Sequence, residues 1–310
     1  FCCTFAPVRN YYKQPFTDRK SELYGKLCRL ADDTPFFTLL DGNGSAGLEL
    51  CCGWDVVNKL CVTDFDQLAD LHAKNKDWLF GHLAYDLKNQ LEKTTSIHHD
   101  RIGFPELHFY QPRYVVQLKN GELLLGYMPG DEKQAAIISN YLLEINNYSN
   151  DSRADNTQTP LNIEAGCSRE NYISQVNKLL QHIARGDIYE INYCIEFFAR
   201  NVALDPVACF DRLNKKARAP FSALYRVNEN WLMCASPERY LKKEGTKIIS
   251  QPIKGTIKRG ADPVEDEQMK QQLLLDPKER CENVMIVDLV RNDLSKIAAK
   301  GTVKVDELFG

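Results

Sequence analysis

Ser236-Pro237-Glu238-Arg239-Tyr240-Leu241-Lys242-Lys243-Glu244-Gly245-Thr246-Lys247-Ile248-Ile249-Ser250-Gln251-Pro252-Ile253-Lys254-Gly255-Thr256 has the pattern of a β-hairpin. Residues 239–243 and 246–251 have strand-like composition, and Glu244-Gly245 has the make-up of a two-residue turn. A turn centred there sets Glu238 opposite Gln251. Lys254 then lies about 10 Å further along a strand that rises ~3.3 Å per residue, with Pro252 bending the path. That separation suits an acid and a nucleophile acting on opposite edges of one small ring. A Glu can serve as general acid, and a neutral Lys amine as covalent nucleophile. The same two residues also fit a surface ion pair across a hairpin.

Hairpin signals recur on the amino-terminal side. Residues 113–118 and 122–127 flank Asn120-Gly121, the strongest turn dipeptide in the chain. Residues 35–40 and 48–52 read as strands around Asp41-Gly42-Asn43-Gly44, and 78–89 form an apolar segment ending in Tyr85-Asp86-Leu87. Residues 133–145 have helical spacing. Hairpins dominate and no βαβ rhythm is evident, which predicts an α+β fold. The run at 146–160 is polar throughout and reads as a linker. The expected organisation is an amino-terminal region at 1–145, a linker at 146–162 and a second region at 163–310.

Past the linker, Ser168 is a candidate N-cap, Glu170 suits the first helical turn and Gly186 suits the stop. Tyr172, Ile173, Val176, Leu179, Leu180 and Ile183 give that helix one apolar face. The next run alternates, with Tyr189, Ile191, Tyr193, Ile195 and Phe197 on one face and Glu190, Asn192 and Glu196 on the other. Such a polar face borders either water or a wet cleft. Asp276-Pro277-Lys278-Glu279 is a helix start, with Asp as N-cap, Pro at N1 and Glu at N3 to complete a capping box. Glu279 and Glu282 then lie roughly 60° apart on one face of a helix reaching about Lys296. Two carboxylates so placed can hold a hard cation such as Mg2+. They equally fit a cap and a solvated helix residue.

Bulk properties narrow the function. The 310 residues carry a net charge of −3, with Lys and Arg scattered. That argues against nucleic acid or an anionic membrane as main partner. No apolar run approaches the ~18 residues of a membrane span. Eleven cysteines include two adjacent pairs and no C-x-x-C, which fits a reducing, cytoplasmic setting. The start at Phe1-Cys2-Cys3-Thr4 lacks Met and any signal-peptide pattern, so earlier residues are expected to be missing.

Four motifs stand in order: Gly186-Asp187-Ile188-Tyr189, Ser236-Pro237-Glu238-Arg239, Pro252-Ile253-Lys254-Gly255-Thr256, and Glu282-Asn283-Val284-Met285-Ile286-Val287-Asp288-Leu289-Val290-Arg291-Asn292-Asp293. Together they resemble the chorismate-utilising enzyme family of anthranilate, aminodeoxychorismate and isochorismate synthases. Tyr85-Asp86-Leu87 and the region of Gly103-Phe104-Pro105 resemble its amino-terminal part. Lys254, just before Gly255-Thr256, matches the aminodeoxychorismate synthase component I branch, where relatives of the other branches usually carry Ala.

The resemblance implies two large, mainly antiparallel sheets packed together with helices outside. It implies a transferase that aminates chorismate at C4 to 4-amino-4-deoxychorismate, on the route to para-aminobenzoate and folate. In that scheme Glu238 protonates the departing hydroxyl and Lys254 attacks C2. Gly255, Thr256 and Glu190 contact substrate, and Mg2+ sits on Glu282 with Glu279 in support. Ammonia is implied to come from a glutamine amidotransferase subunit; no Gly-x-Cys-x-Gly elbow occurs in this chain. Pro220-Phe221-Ser222 corresponds to the wall of an amino-acid effector site, whose usual Ser partner is replaced here by Gly42. The family pattern also continues beyond Gly310, with further substrate- and metal-binding residues. Two rivals are anthranilate synthase component I and a non-catalytic scaffold that senses an amino acid or docks a partner.

Overall fold

Asn120 and Gly121 both take left-handed backbone, with φ of 53° and 72°, and close the tight hairpin their composition predicts. That hairpin sits near one edge of the main sheet in the computed structural model, which describes residues 9–16, 20–45, 49–60, 64–144 and 161–309. The expected linker at 146–160 and the Phe1-Cys2-Cys3-Thr4 start lie outside the described residues. The chain forms two compact units, Phe1–Tyr148 with Phe210–Gly310, and Ser149–Cys209.

In chain order the elements are β1 (Asn10–Pro15), α1 (Lys20–Leu30), β2 (Phe36–Asp41), β3 (Leu50–Leu60), α2 (Phe65–Asn75) and β4 (Phe80–Leu83). A 3-10 turn at Tyr85–Gln90 precedes β5 (Leu107–Lys119), β6 (Glu122–Tyr127) and α3 (Glu132–Leu143). Next come β7 (Glu164–Ala165), α4 (Arg169–Arg185), β8 (Phe197–Phe198), α5 (Pro206–Ala217), β9 (Phe221–Val227) and β10 (Asn230–Ser236). The last elements are β11 (Arg239–Glu244), β12 (Lys247–Gln251), α6 (Pro263–Leu275) and α7 (Pro277–Ser295).

The α+β expectation holds. The larger unit contains an eight-stranded sheet in the order β1-β6-β5-β3-β2-β9-β10, with β4 pairing β5 off that path. Every pairing in it is antiparallel. Among the described residues this is the one large sheet; β11–β12 and β7–β8 are separate two-stranded ladders. The β2–β9 pairing brings the second half of the sequence into the sheet, setting Asp41 opposite Ser222. β3 carries an irregularity between Val56 and Asn58, next to left-handed Asp55 (φ 57°). Val56 there faces Pro112, which has no N–H to offer the ladder.

Phe36, Cys51, Trp78, Phe80, Tyr110, Val115, Tyr225 and Val227 form one buried cluster. Leu23, Tyr24 and Leu27 of α1 and Ala135, Ile138 and Leu142 of α3 are also buried. Removing such side chains from water is the main favourable term, ~1.5–3 kcal/mol for each large one. Buried charges are matched. Arg9 and Asp77 form a two-pronged ion pair, both contacts 2.7 Å. Arg9 also donates to the carbonyls of Arg113 and Pro112, and Gln111 donates to Asp77. The Lys26 ammonium pairs with Glu22 at 3.1 Å and donates to the Leu142 and Glu144 carbonyls. It thus sits at the negative end of α3, where a cation is favoured.

Burial in the larger unit stops at β9. Its buried residues fall within 9–142 and 210–227, and none of α6 or α7 is buried. In the smaller unit, α4 is capped as predicted: Ser168 Oγ accepts from Asn171 N, and Gly186 (φ 80°) closes the helix. Its apolar face is nevertheless only partly covered: Tyr172, Ile173 and Leu180 (54%) are exposed, while Val176, Leu179 and Ile183 are half-buried. The alternating run at 189–197 does not form the expected strand; only Phe197–Phe198 pairs, with Glu164–Ala165.

A polar chain threads the main core. Tyr225 Oη lies 2.7 Å from His108 Nδ1 and 3.1 Å from His82 Nδ1, while His82 Nε2 lies 2.7 Å from the Pro105 carbonyl. Burial, with the nearby His82 adding to it, pushes the His108 pKa from 6.5 down to about 4. Burial also lowers His82, against the pull of the Pro105 carbonyl. Between pH 6.5 and 4 the unfolded chain therefore binds a proton that folded His108 refuses. Stability present above that window is lost as pH falls through it, by about 1.4 kcal/mol per pH unit for one proton. His108→Gln is expected to flatten the decline of Tm across this window in stepped-pH thermal unfolding; an unchanged slope would count against the assignment.

Candidate active site

β10 ends at Ser236, directly opposite Phe221 in the ladder. Ser236 Oγ accepts from the Glu238 N–H (3.2 Å) and donates to the Glu238 carbonyl (3.1 Å), fixing the turn that carries Glu238. The hairpin that follows differs from its predicted register. Glu244 pairs with Lys247, so the turn is Gly245-Thr246 rather than Glu244-Gly245. Positive φ is needed at the first turn position, and Gly245 supplies it at 58°. A further irregularity between Arg239 and Lys242 sets Arg239 opposite Gln251. Glu238 thereby reaches the strand just beyond Gln251, where its Oε1 accepts from the Ile253 N–H at 3.1 Å. The carboxylate is held by the backbone N–H of Ile253, the residue before Lys254. Glu238 is exposed and Lys254 is half-buried.

Gly255 turns the chain with a φ of 80° and lies against the start of α7. A Cβ placed on it would stand 2.7 Å from Glu279 Oε2 and 3.3 Å from Leu273 Cδ1. The missing side chain is what lets the Lys254-Gly255-Thr256 segment meet Glu279. α7 begins as predicted, with Asp276 Oδ1 accepting from the N–H groups of Lys278 (2.9 Å) and Glu279 (3.0 Å). The reciprocal half of the capping box is not formed, because the Asp276 N–H goes to the Leu273 carbonyl. Glu279 instead faces Gly255 and the Lys278 ammonium.

Lys278 Nζ lies 3.1 Å from Glu282 Oε1 and 3.5 Å from Glu279 Oε1, and the two carboxylates, Glu282 foremost, raise its pKa. One ammonium thus reaches both acids, so the pair can grip a small cation. Among the described residues no third His, Cys, Asp or Glu joins them. Mg2+ tolerates that, since it keeps several waters and often takes only one or two protein carboxylates. Asp288 and Asp293 of the same helix pair outward, with Arg291 and Lys296.

Phe221 opens β9 beneath the Arg239 guanidinium, 4.9 Å from its ring. Ser222 is buried, and its Oγ donates to the Ala219 carbonyl and accepts from Asn43 Nδ2. Asn43, Asn214 and Lys20 converge on Asp41 beside it. Pro220 is half-buried just before β9. Glu190 belongs to the smaller unit, in the irregular run between α4 and β8, and is half-buried. Within the larger unit the structure joins Glu238, Lys254, Gly255, Glu279 and Glu282 through successive contacts. Sequence reasoning did not single out the Ser236 hydroxyl or the Lys278 ammonium. For Lys278 there was a signal, a cation in the first turn of a helix.

Gly255→Ala is expected to force Glu279 away and to strain a left-handed backbone, costing about 1–3 kcal/mol. Thermal unfolding with a Mn2+-binding titration checks this; unaltered Tm and metal affinity would contradict the close approach.

The profile of the chorismate binding enzyme family matches residues 45–310. An anthranilate synthase component I-like protein from Synechocystis is 34% identical over 260 residues, covering 82% of this chain and 52% of that relative. Aminodeoxychorismate synthase component 1 of Klebsiella aerogenes is 41% identical over 145 residues, covering 47% of this chain and 32% of its own length. The chain therefore spans about a third to a half of the length of these curated relatives. Anthranilate synthase component I from Streptococcus pneumoniae superposes with a TM-score of 0.65 at 20% identity, over 94% of this chain and 63% of that one. The menaquinone-specific isochorismate synthase of Escherichia coli gives 0.59 at 15% identity, over 94% and 65%. Those two likenesses speak to fold, and they agree with the α+β sheet described above. By the match over residues 45–310, the chain belongs to the chorismate binding enzyme family.

Proposed function

We propose that this chain aminates chorismate at C4 to give 4-amino-4-deoxychorismate, as component I of an aminodeoxychorismate synthase. The carrying observation is the Glu238 carboxylate bonded to the peptide N–H that immediately precedes Lys254. It ties a proton donor to a nucleophile across one short strand crossing.

The neutral Lys254 amine forms a bond to ring C2, the ring double bonds shift, and the C4–O bond breaks. Glu238 passes its proton to the departing oxygen, which leaves as water. Ammonia then bonds to C4, the double bonds shift back, and the Lys254 nitrogen leaves C2. The net change is chorismate plus ammonia giving aminodeoxychorismate plus water. As the general acid, Glu238 enters the step carrying the proton it gives up. Gly255 and Thr256 bring main chain to the substrate, where a missing side chain permits close approach. Glu190, directly after Gly186-Asp187-Ile188-Tyr189, enters as a substrate contact on the family resemblance alone. Glu282 and Glu279 are the residues that would hold Mg2+, which would supply positive charge to offset that of a bound carboxylate.

A glutamine amidotransferase partner as ammonia source is supported by the "component 1" in the relatives' names. The effector role of Pro220, Phe221 and Ser222 rests on the family pattern. No helix among the described residues is long and apolar enough to cross a membrane. A second reading, anthranilate synthase component I, is favoured by relatives with that name that match over more of the chain, including one from Thermus thermophilus at 32% identity over 73% of it.

Full-length protein supplied with chorismate and ammonium separates the two. Anthranilate fluoresces directly, whereas aminodeoxychorismate must be revealed by a coupled lyase. Lys254→Ala is expected to abolish aminodeoxychorismate formation, and Glu238→Gln to slow it about 10²–10⁴-fold. Unchanged kinetics in Lys254→Ala would refute the covalent role.

A further inference from the structure

We infer that Lys278 is the resident counter-ion of the Glu279–Glu282 pair, and that a divalent cation binds only by displacing it, so Lys278 sets the metal affinity of the site. This deepens the proposed metal reading and rests on it. Pro277 opens α7 and Lys278 follows in its first turn. A cation there faces the positive end of the helix dipole, where an acidic residue is favoured. The dipole therefore disfavours a lysine at this position, and its i,i+4 pairing with Glu282 is what offsets that. Its ammonium turns back to lie 3.1 Å from Glu282 and 3.5 Å from Glu279, so the two acids account for its placement.

The three charges differ in how firmly they are held. Glu279 and Glu282 side chains are 24% and 30% exposed, and Glu279 is wedged against Gly255. Lys278 is 74% exposed on a flexible stem. The lysine is the most exposed of the three and sits on the longest stem, so it is the group readiest to leave. Without metal, two carboxylates one helical turn apart repel each other, and the ammonium offsets that. A hard dication seeks the same oxygen atoms, and the two cations cannot share them at contact distance. Entry of the metal releases the lysine into solvent, and its lost contacts are subtracted from metal binding. Exposed ion pairs are individually weak, so the expected tuning is roughly threefold to tenfold.

Mn2+ titration of full-length protein, followed by electron paramagnetic resonance without substrate, tests this on wild type, Lys278→Gln, Lys278→Arg and Glu282→Gln. Lys278→Gln should lower the Mn2+ dissociation constant roughly threefold to tenfold, Lys278→Arg should leave it near wild type, and Glu282→Gln should abolish binding. If Lys278→Gln binds no tighter than wild type while Glu282→Gln still abolishes binding, the counter-ion inference is overturned and the metal reading stands. If Glu282→Gln binds as wild type does, the metal reading itself falls. An exposed helix position tolerates Gln, and a matched Tm establishes that the variant is folded.

Discussion

The β2–β9 ladder is the constraint on which the rest of the larger unit depends. It joins residues as distant as Phe36 and Val227, 191 apart in sequence (227 − 36), and sets the register Phe36↔Val227 through Asp41↔Ser222. A slip of one residue would turn Leu39 and Leu224, both wholly buried, toward the opposite face. Polar groups reinforce the choice. Thr38 meets the Tyr110 hydroxyl, Tyr110 donates to the Gly53 carbonyl, and Tyr225 lies between two histidines. From this ladder β10 follows by a tight turn, and Ser236 ends it beside Phe221. Pairing so remote in sequence is slow to find, because loop closure must precede its reward.

Beyond the sheet the site is built by short relays. A serine hydroxyl holds one turn, a carboxylate reaches a peptide N–H, and a glycine admits a glutamate. Each link is a few ångströms long and none needs a buried core. That matters because α6 and α7 bury no residue, so their positions within the larger unit rely on caps, ion pairs and these contacts. The Asp262 and Asp276 caps show the same economy, each satisfying two backbone N–H groups at a helix start.

Much of the fold was legible where a residue has a strict conformational requirement. Asn120-Gly121, Ser168, Gly186 and Asp276-Pro277 all act as their chemistry predicts. Patterns that depend on a partner were less reliable. The alternation at 189–197 shows what a strand could display, but a strand needs a neighbour, and only Phe197–Phe198 has one. Likewise the stripe on α4 shows a face fit for burial, without showing that it is buried. In the candidate site the residue types of Glu238, Lys254 and Glu282 were readable from motifs. The link from Glu238 to the Ile253 peptide was not, because it follows from a turn one residue later than expected and an irregularity no local rule encodes.

That link has an evolutionary corollary. The group that aims the acid is main chain, and every residue type but one carries it. The Ile253 side chain, 47% exposed, is free to drift without disturbing the aim. Divergent descendants inherit the orientation for as long as they inherit the hairpin, and a proline at this position is the substitution that would erase it.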